Sequence, residues 1–316
     1  LKNVFSNSSN IYPDLRILNQ VTQNHVTFSL VFKENVMREI PASDITAAVK
    51  SLCINANYFL GEDVLSSLKQ CLHREESATG RDVIEKIIRN AEIAESEQVP
   101  LCQDTGFAVV FAELGQDLHV TGGDFQEAIH EGVRQGYEEG YLRKSIVSDP
   151  IERRNTGDNT PAVIHTEIVP GNRLKLTVAP KGGGSENMSE VKMMAPAAGV
   201  EGIKSFVVDR VIRSGANPCP PVIVGVGIGG TFEKCAEIAK RALLKPLGSR
   251  HPNPYYADLE IELLGLINKS GIGPQGFGGR CTALDVLIEV HPCHIASFPV
   301  AVNMQCHVAR HKTTVL

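Results

Sequence analysis

The sequence predicts an α+β protein in which an N-terminal helical lobe packs beside a mixed-sheet lobe with flanking helices. Two patterns predict it. Three amphipathic stripes succeed one another before residue 100, and afterwards apolar runs of strand length alternate with further helical patterns. Composition agrees: the 316 residues are 42% hydrophobic and 21% charged, enough for a sizeable core and unlike a disordered chain.

Residues 1–36 stand apart. They are rich in Asn, Ser and Gln, lack sustained periodicity and precede Met37, so they are expected to be a poorly ordered extension with Met37 the natural start. From Met37 the helical part runs to about residue 100 and the mixed part from about 101 to 316. Behind a Ser43 cap, Ile45, Ala48, Val49, Leu52, Cys53 and Ala56 recur at three–four spacing. Leu65, Leu68, Cys71 and Leu72 form a second stripe. Thr79 with Asp82 opens a third helix carrying Val83, Ile84, Ile87, Ile88 and Ala91. In this reading Cys53 and Cys71 are small apolar residues on buried faces.

The polar turn CQDTG then leads into FAVVF, a buried strand, and Asp124 to about Leu142 reads as helix. AVIHTEIV and RLKLTVAP alternate on either side of Pro170-Gly171-Asn172 and predict a β-hairpin. Residues 200–214 and 232–244 read as helices, the latter burying Cys235. VIVGVG, ALDVLIEV and FPVAVNM read as strands, and 270–280 as a Gly-rich loop.

Charge excludes some functions. A net charge of −5, a pI near 6.1 and the absence of basic runs argue against nucleic-acid binding. No apolar stretch approaches the ~20 residues of a membrane span. Eight cysteines and no secretory pattern in residues 1–20 point to a reducing cytoplasm, with thiols free or metal-bound.

Two segments, Gly225–Gly230 and Gly271–Gly276, match G-x-G-x-x-G. The first lacks the acidic ribose-binding residue about twenty positions on, and the second carries a proline inside the turn. A tight turn or an anion site explains the first match better than a dinucleotide does. In Lys181-Gly182-Gly183-Gly184-Ser185-Glu186-Asn187, successive glycines let backbone N–H groups converge on an anion, with a small carboxylate the sharper guess.

Cys102, Cys219 and Cys306 lie outside any amphipathic stripe, on turns or strand ends. Three thiolates without a fourth suit a [4Fe–4S] cluster with one open iron, since a fully protein-held cluster uses four. By spacing alone, unrelated free cysteines explain them better, and Cys281 and Cys293 compete for the third position.

Taken together, PLCQDTG, LRKSIVSDP, KGGGSEN, NPCPP, GVGIGGTFEK, HPCH and NMQCHVARH resemble the iron–sulfur-dependent class I fumarate hydratases and the related L-tartrate dehydratases. The likeness runs in order from about Met37 to the end. It implies that residues 37–316 form a hydratase domain whose [4Fe–4S] cluster is held by Cys102, Cys219 and Cys306, leaving one iron without a protein ligand. It further implies substrate contacts from Gln103, Arg143, the Gly184 backbone and His294, with proton transfer at Asp104. His165 is left as structural. The family's C-terminal domain has no counterpart after Cys306, so the chain resembles the α subunit of a two-subunit enzyme. A separate β subunit would then complete the site, and an α–α dimer would build an α2β2 assembly. The expected reaction is reversible hydration of fumarate to (S)-malate, weak or absent without the partner. The alternatives are L-tartrate dehydration, or a cluster-binding scaffold without activity of its own.

Overall fold

The computed structural model describes residues 37–316 together with two short strands, β1 (Arg16–Thr22) and β2 (His25–Val31), which pair antiparallel. The extension expected over 1–36 otherwise lies outside the described residues. No helix among the described residues is long and apolar enough to cross a membrane. The fold is α+β, as the order of patterns predicts.

Strand β3 (Arg38–Pro41) leads into α1 (Ala42–Tyr58), which buries Ile45, Val49, Leu52, Cys53 and Ala56. The helix begins directly after Pro41, ahead of the expected Ser43 cap. Proline's φ of −62° presets the entry without a side-chain cap. Helices α2 (Glu62–Arg74) and α3 (Ala78–Glu97) follow. Ser77, not Thr79, caps α3: its hydroxyl accepts from the Gly80 amide at 3.1 Å.

The N-terminal helices pack beside the sheets as expected, and the sheets share them. α1 packs on α4 (Phe125–Glu139), where Gly132 and Gly136 let the backbones approach. A Cβ on Gly136 would lie 2.8 Å from the Cys53 Cβ. α2 and α3 instead cover a second core built around Leu68, Ile84, Leu284 and Leu287.

The first sheet contains β4 (Phe107–Gly115), β6 (Val163–Val169), β7 (Leu174–Lys181) and β12 (Lys312–Val315) in the order β12-β7-β4-β6. β5 (Leu118–Thr121) pairs parallel with β3 at its margin. The predicted hairpin is therefore corrected: β6 and β7 both form as strands, but β4 lies between them, parallel to β6 and antiparallel to β7. The reason is burial. Ala108 to Ala112 of β4 are apolar and buried, whereas β6 is largely exposed and suits an edge. The Pro170–Asn172 turn passes over the end of β4, so close that a Cβ on Gly115 would lie 2.4 Å from the Gly171 carbonyl oxygen.

A one-turn helix α5 (Gly183–Glu186) leads to the second sheet, β8 (Glu190–Met194), β9 (Val222–Gly229), β10 (Ala283–His291) and β11 (Phe298–Gln305), in the order β10-β9-β11-β8. Helices α6 (Gly199–Ser214), α7 (Phe232–Ala242) and α8 (Pro254–Asn268) flank it. Sequence reasoning missed α8, because Tyr-Tyr-Ala-Asp-Leu-Glu-Ile-Glu-Leu-Leu is apolar on too many sides to show a clear period. Its start signal, Asn253 accepting from the Tyr255 amide at 3.0 Å with Pro254 in the first turn, was nonetheless present.

The GVGIGG motif is a packing device. Added Cβ atoms on Gly225 and Gly227 would lie 2.1 Å from the Ala239 carbonyl oxygen and 2.2 Å from that of Cys235, both on α7. Backbone meets backbone, so neither neighbour can rotate away. Gly227→Ala is expected to force α7 off β9 and cost about 1–3 kcal/mol or more. The measurement is the urea midpoint of unfolding, with Gly265→Ala, on α8 with open space around it, as the near-neutral comparison.

Candidate active site

Four chain segments meet where the two sheets come together. On the first sheet, the turn 102–106 enters β4 while Lys181 ends β7, with Phe107 opposite Lys181 in register. On the second, Cys219 precedes β9 and Cys306 follows β11, with Gln305 opposite Ile223. The chain then crosses from Cys306 to β12, pairing Lys312 with Val178 of the first sheet. That crossover draws the two sheets' cysteines toward each other.

The 102–106 turn is held from beneath. Tyr137 of α4 is fully buried, and its hydroxyl lies 3.0 Å from both the Thr105 and Gly106 carbonyl oxygens. Buried Asn159 donates to Gly106 O at 3.2 Å. Gly106, at φ +70°, runs so close to β7 that a Cβ would lie 2.5 Å from the Lys181 backbone. Above this base, the Asp104 carboxylate accepts from two amides, Gly106 N at 3.0 Å and Gly183 N at 2.9 Å. Cys102 Sγ accepts from the Asp104 amide at 3.4 Å and donates to exposed Gln103 Oε1 at 3.3 Å. Thr105 Oγ1 accepts from the Arg143 amide at 2.9 Å, which places exposed Arg143 beside the turn. Gly184 is exposed and faces the Cys219 loop: a Cβ there would lie 3.7 Å from Asn217 O.

The Cys219 loop is rigid by composition, with prolines on both sides removing donors and fixing φ. Cys219 itself has a left-handed φ of +57°, a conformation that costs a non-glycine residue about 1–2 kcal/mol. Gln275 braces the loop, donating to Pro220 O through its amide at 2.7 Å and its side chain at 2.8 Å. His307 Nδ1 lies 3.0 Å from Cys219 O. Behind Gln275, buried Glu75 accepts the Arg280 and Cys281 amides at 2.8 and 3.0 Å. The second glycine-rich match is thus a brace for the cysteine loop.

Electrostatics places the three cysteines in one another's field. Burial pushes the Cys219 thiol up, and the negative charges of Cys306, Cys102 and Asp104 push it further. Burial also raises Cys306, opposed first by Arg310 and more weakly by Lys181, while Cys102 adds to the rise. Lys181 is 4% exposed. Burial holds its ammonium down, at about 8, against the pull of Glu186, whose carboxylate lies 3.2 Å away. Arg310, also 4% exposed, donates through Nη2 to the Asp104 carbonyl.

The structure therefore brings together Cys102, Gln103, Asp104, Arg143, Gly184, Cys219 and Cys306. It does not bring His294 to them, which corrects the expectation for that residue within one chain. His294 lies on the β10–β11 loop beside Gly230, Phe232 and Cys293, at the far end of β9, whose seven residue steps from Val222 span about 23 Å. A six-residue loop that must return to β11 cannot cover that distance. Cys293 is excluded from the cysteine site for the same reason. Cys281 is buried at the near end, but its sulfur turns to Cys71 O at 3.5 Å. Sequence reasoning missed the roles of Arg310, Tyr137 and Gln275. Arg310, four residues past Cys306, was the only one whose position hinted at the site.

Sulfur donors of this kind suit zinc or iron–sulfur centres. Among the described residues, no three His, Cys, Asp or Glu side chains converge closely enough to hold a single metal ion. A cluster is several atoms across, so its ligands need not meet at a point.

The fold thus gathers three cysteines, an amide-oriented carboxylate and an exposed arginine at one junction, and comparison with known proteins gives the class of chain to which this arrangement belongs, the hydro-lyases. Residues 46–315 match the family described as fumarate hydratase (fumerase), and the chain belongs to that family. It is 42% identical over 272 residues to a putative L(+)-tartrate dehydratase subunit alpha of Methanocaldococcus jannaschii, covering 84% of this chain and 95% of that one. It is 34% identical over 255 residues to the L(+)-tartrate dehydratase subunit alpha of Escherichia coli, covering 80% and 84%. The Shigella sonnei protein of the same name gives the same identity and coverage.

Lys181 makes a pH prediction. Its amine titrates near 10.5 when unfolded and near 8 when folded. Between those values the unfolded state holds the extra proton, so stability rises with pH. Below about 8 both states are charged and the cost of burial stands in full. Urea midpoints at pH 7 and pH 10 should therefore show the wild type gaining on Lys181→Met. Parallel behaviour of the two proteins would contradict the assignment.

Proposed function

We propose that the chain is the cluster-holding α subunit of a two-subunit hydro-lyase that adds water reversibly to fumarate, giving (S)-malate. One observation carries the reading: Cys102, Cys219 and Cys306 are the cysteines that share a field at the junction of the sheets. Their donor set and its charge environment fit a [4Fe–4S] cluster with one iron lacking a protein ligand. When bound, that iron supplies Lewis acidity toward substrate oxygens.

This chain's own groups then have definite tasks. Arg143 presents an exposed planar fork suited to bidentate carboxylate binding. Gln103 and the Gly184 backbone face the same opening. Asp104 is oriented by the Gly106 and Gly183 amides, and each carboxylate oxygen keeps a lone pair with which to take or return a proton at the carbon beside the hydroxyl. His294 would join such a site only from a second copy of the chain, in keeping with an α–α dimer inside an α2β2 assembly.

The β partner is supported by the relatives, which are named as alpha subunits. Their names also favour a second substrate reading, L-tartrate dehydration, which demands room for one more hydroxyl. A reducing, cytoplasmic setting suits free thiols.

The test is anaerobic reconstitution with iron and sulfide, with and without the β subunit, followed by visible spectra and assays on fumarate, malate and L-tartrate. Cys102→Ser, Cys219→Ser and Cys306→Ser should each abolish the visible absorbance, and Cys235→Ser and Cys293→Ser should keep it. Robust turnover by the isolated chain would refute the two-subunit reading. Preferential turnover of L-tartrate by the complex would replace fumarate as substrate.

A further inference from the structure

Arg310 lies in the crossover between the two sheets, four residues after Cys306 and two before β12. It is 4% exposed, and no carboxylate pairs with it among the described residues. Its Nη2 donates to the backbone carbonyl of Asp104, while Nε and Nη1 are buried without a hydrogen-bond partner. A buried guanidinium with two idle donors is costly unless something anionic answers it.

The surroundings narrow what that is. Arg310 and Lys181 line the same small cavity, about 20 Å³, with Gln305, one residue before Cys306. Lys181 is answered by Glu186 and by Ser185 Oγ at 2.8 Å. Arg310 has no such answer. It bonds to the Asp104 turn, and its charge acts on Cys306, whose thiol feels Arg310 more strongly than any other charge.

We propose that Arg310 is the internal counter-charge and positioning residue of the cysteine site. It pins the Asp104 turn of one sheet to the Cys306 strand end of the other, and it places a fixed positive charge beside the thiolates that gather there. The inference rests on the reading of Cys102, Cys219 and Cys306 as cluster ligands, and it adds to that reading a residue which need not touch substrate. A fixed cation beside an anionic centre favours the reduced, more negative state, so its removal lowers the midpoint potential.

Two variants separate charge from shape. Arg310→Gln retains a donor for the Asp104 carbonyl without the charge, and Arg310→Lys retains the charge without the fork. Each is reconstituted anaerobically with iron and sulfide beside the wild type. Cluster content is read from visible absorbance per chain, midpoint potential from redox titration, and folding from the thermal melt of the apo chain. Arg310→Lys should hold cluster within about twofold of wild type at an unchanged potential. Arg310→Gln, folded, should lose most of its cluster and shift the potential of the remainder downward. Equal content and potential in Arg310→Gln and wild type would overturn the proposal, as would an Arg310→Lys that fails as badly as Arg310→Gln. Should Arg310→Gln not fold, a lowered potential in Arg310→Lys would overturn it and an unchanged one would support it. A folded wild type that takes up no cluster would instead overturn the ligand reading, and this inference with it.

Discussion

The crossover from Gln305 to Lys312 is the constraint on which the site depends. It leaves the second sheet at the end of β11 and joins the first as β12, antiparallel to β7. Two four-stranded sheets with separate cores are thereby fixed end to end at one corner. Cys306 sits at the start of that segment and Arg310 near its close. These six residues, with the α5 segment between β7 and β8, are the covalent links that hold the two sheets together at the site.

Bringing thiols together under cover of the fold is expensive in isolation, because burial and mutual repulsion both oppose ionisation. The structure offsets this locally. Arg310 and Lys181 supply buried positive charge on the Cys306 side. Amide groups supply dipoles on the Cys102 side, where the Asp104 N–H points at the sulfur. Glu186 keeps Lys181 from standing alone in the interior, and Lys240 joins it there. The polar groups are thus sorted by exposure: Lys181 and Arg310 are buried, whereas Gln103, Arg143 and Gly184 are exposed.

Much of this was legible in the sequence. Helical stripes, the buried strands and the three off-stripe cysteines could each be read from residue type and spacing. The ligand choice could not, because 117 residues separate the first pair (219 − 102) and 87 the second (306 − 219). Only the resemblance singled out Cys306; in the fold, Cys281 turns into the α2 core and Cys293 lies at the far end of β10 from Cys219 and Cys306. The hairpin misreading has a related origin. A short turn between two alternating strands normally pairs them, and nothing local announces that a more apolar strand from fifty residues earlier will take the place between. The GVGIGG pattern, read from sequence as a tight turn or an anion site, has a further use that spacing did not reveal: its first two glycines admit the α7 backbone.

The position of His294 bears on how such a site is completed. Two short loops are held by several anchors, Tyr137 and Asn159 on the 102–106 turn and Gln275, backed by Glu75, on the Cys219 loop. Gln103, Arg143 and Gly184 beside these loops are exposed. Under the proposed function the substrate has two carboxylates, and one guanidinium fork satisfies one of them. On that reading the second carboxylate needs a cation other than Lys181, which is buried and paired with Glu186. The loop bearing His294 and exposed Ile295 projects from the opposite end of the sheet, too far to fold back. On the proposed reading, a chain that gathers three cysteines and one arginine here, while His294 stays at the far end of β9, has the form of a component whose chemistry is finished by neighbours.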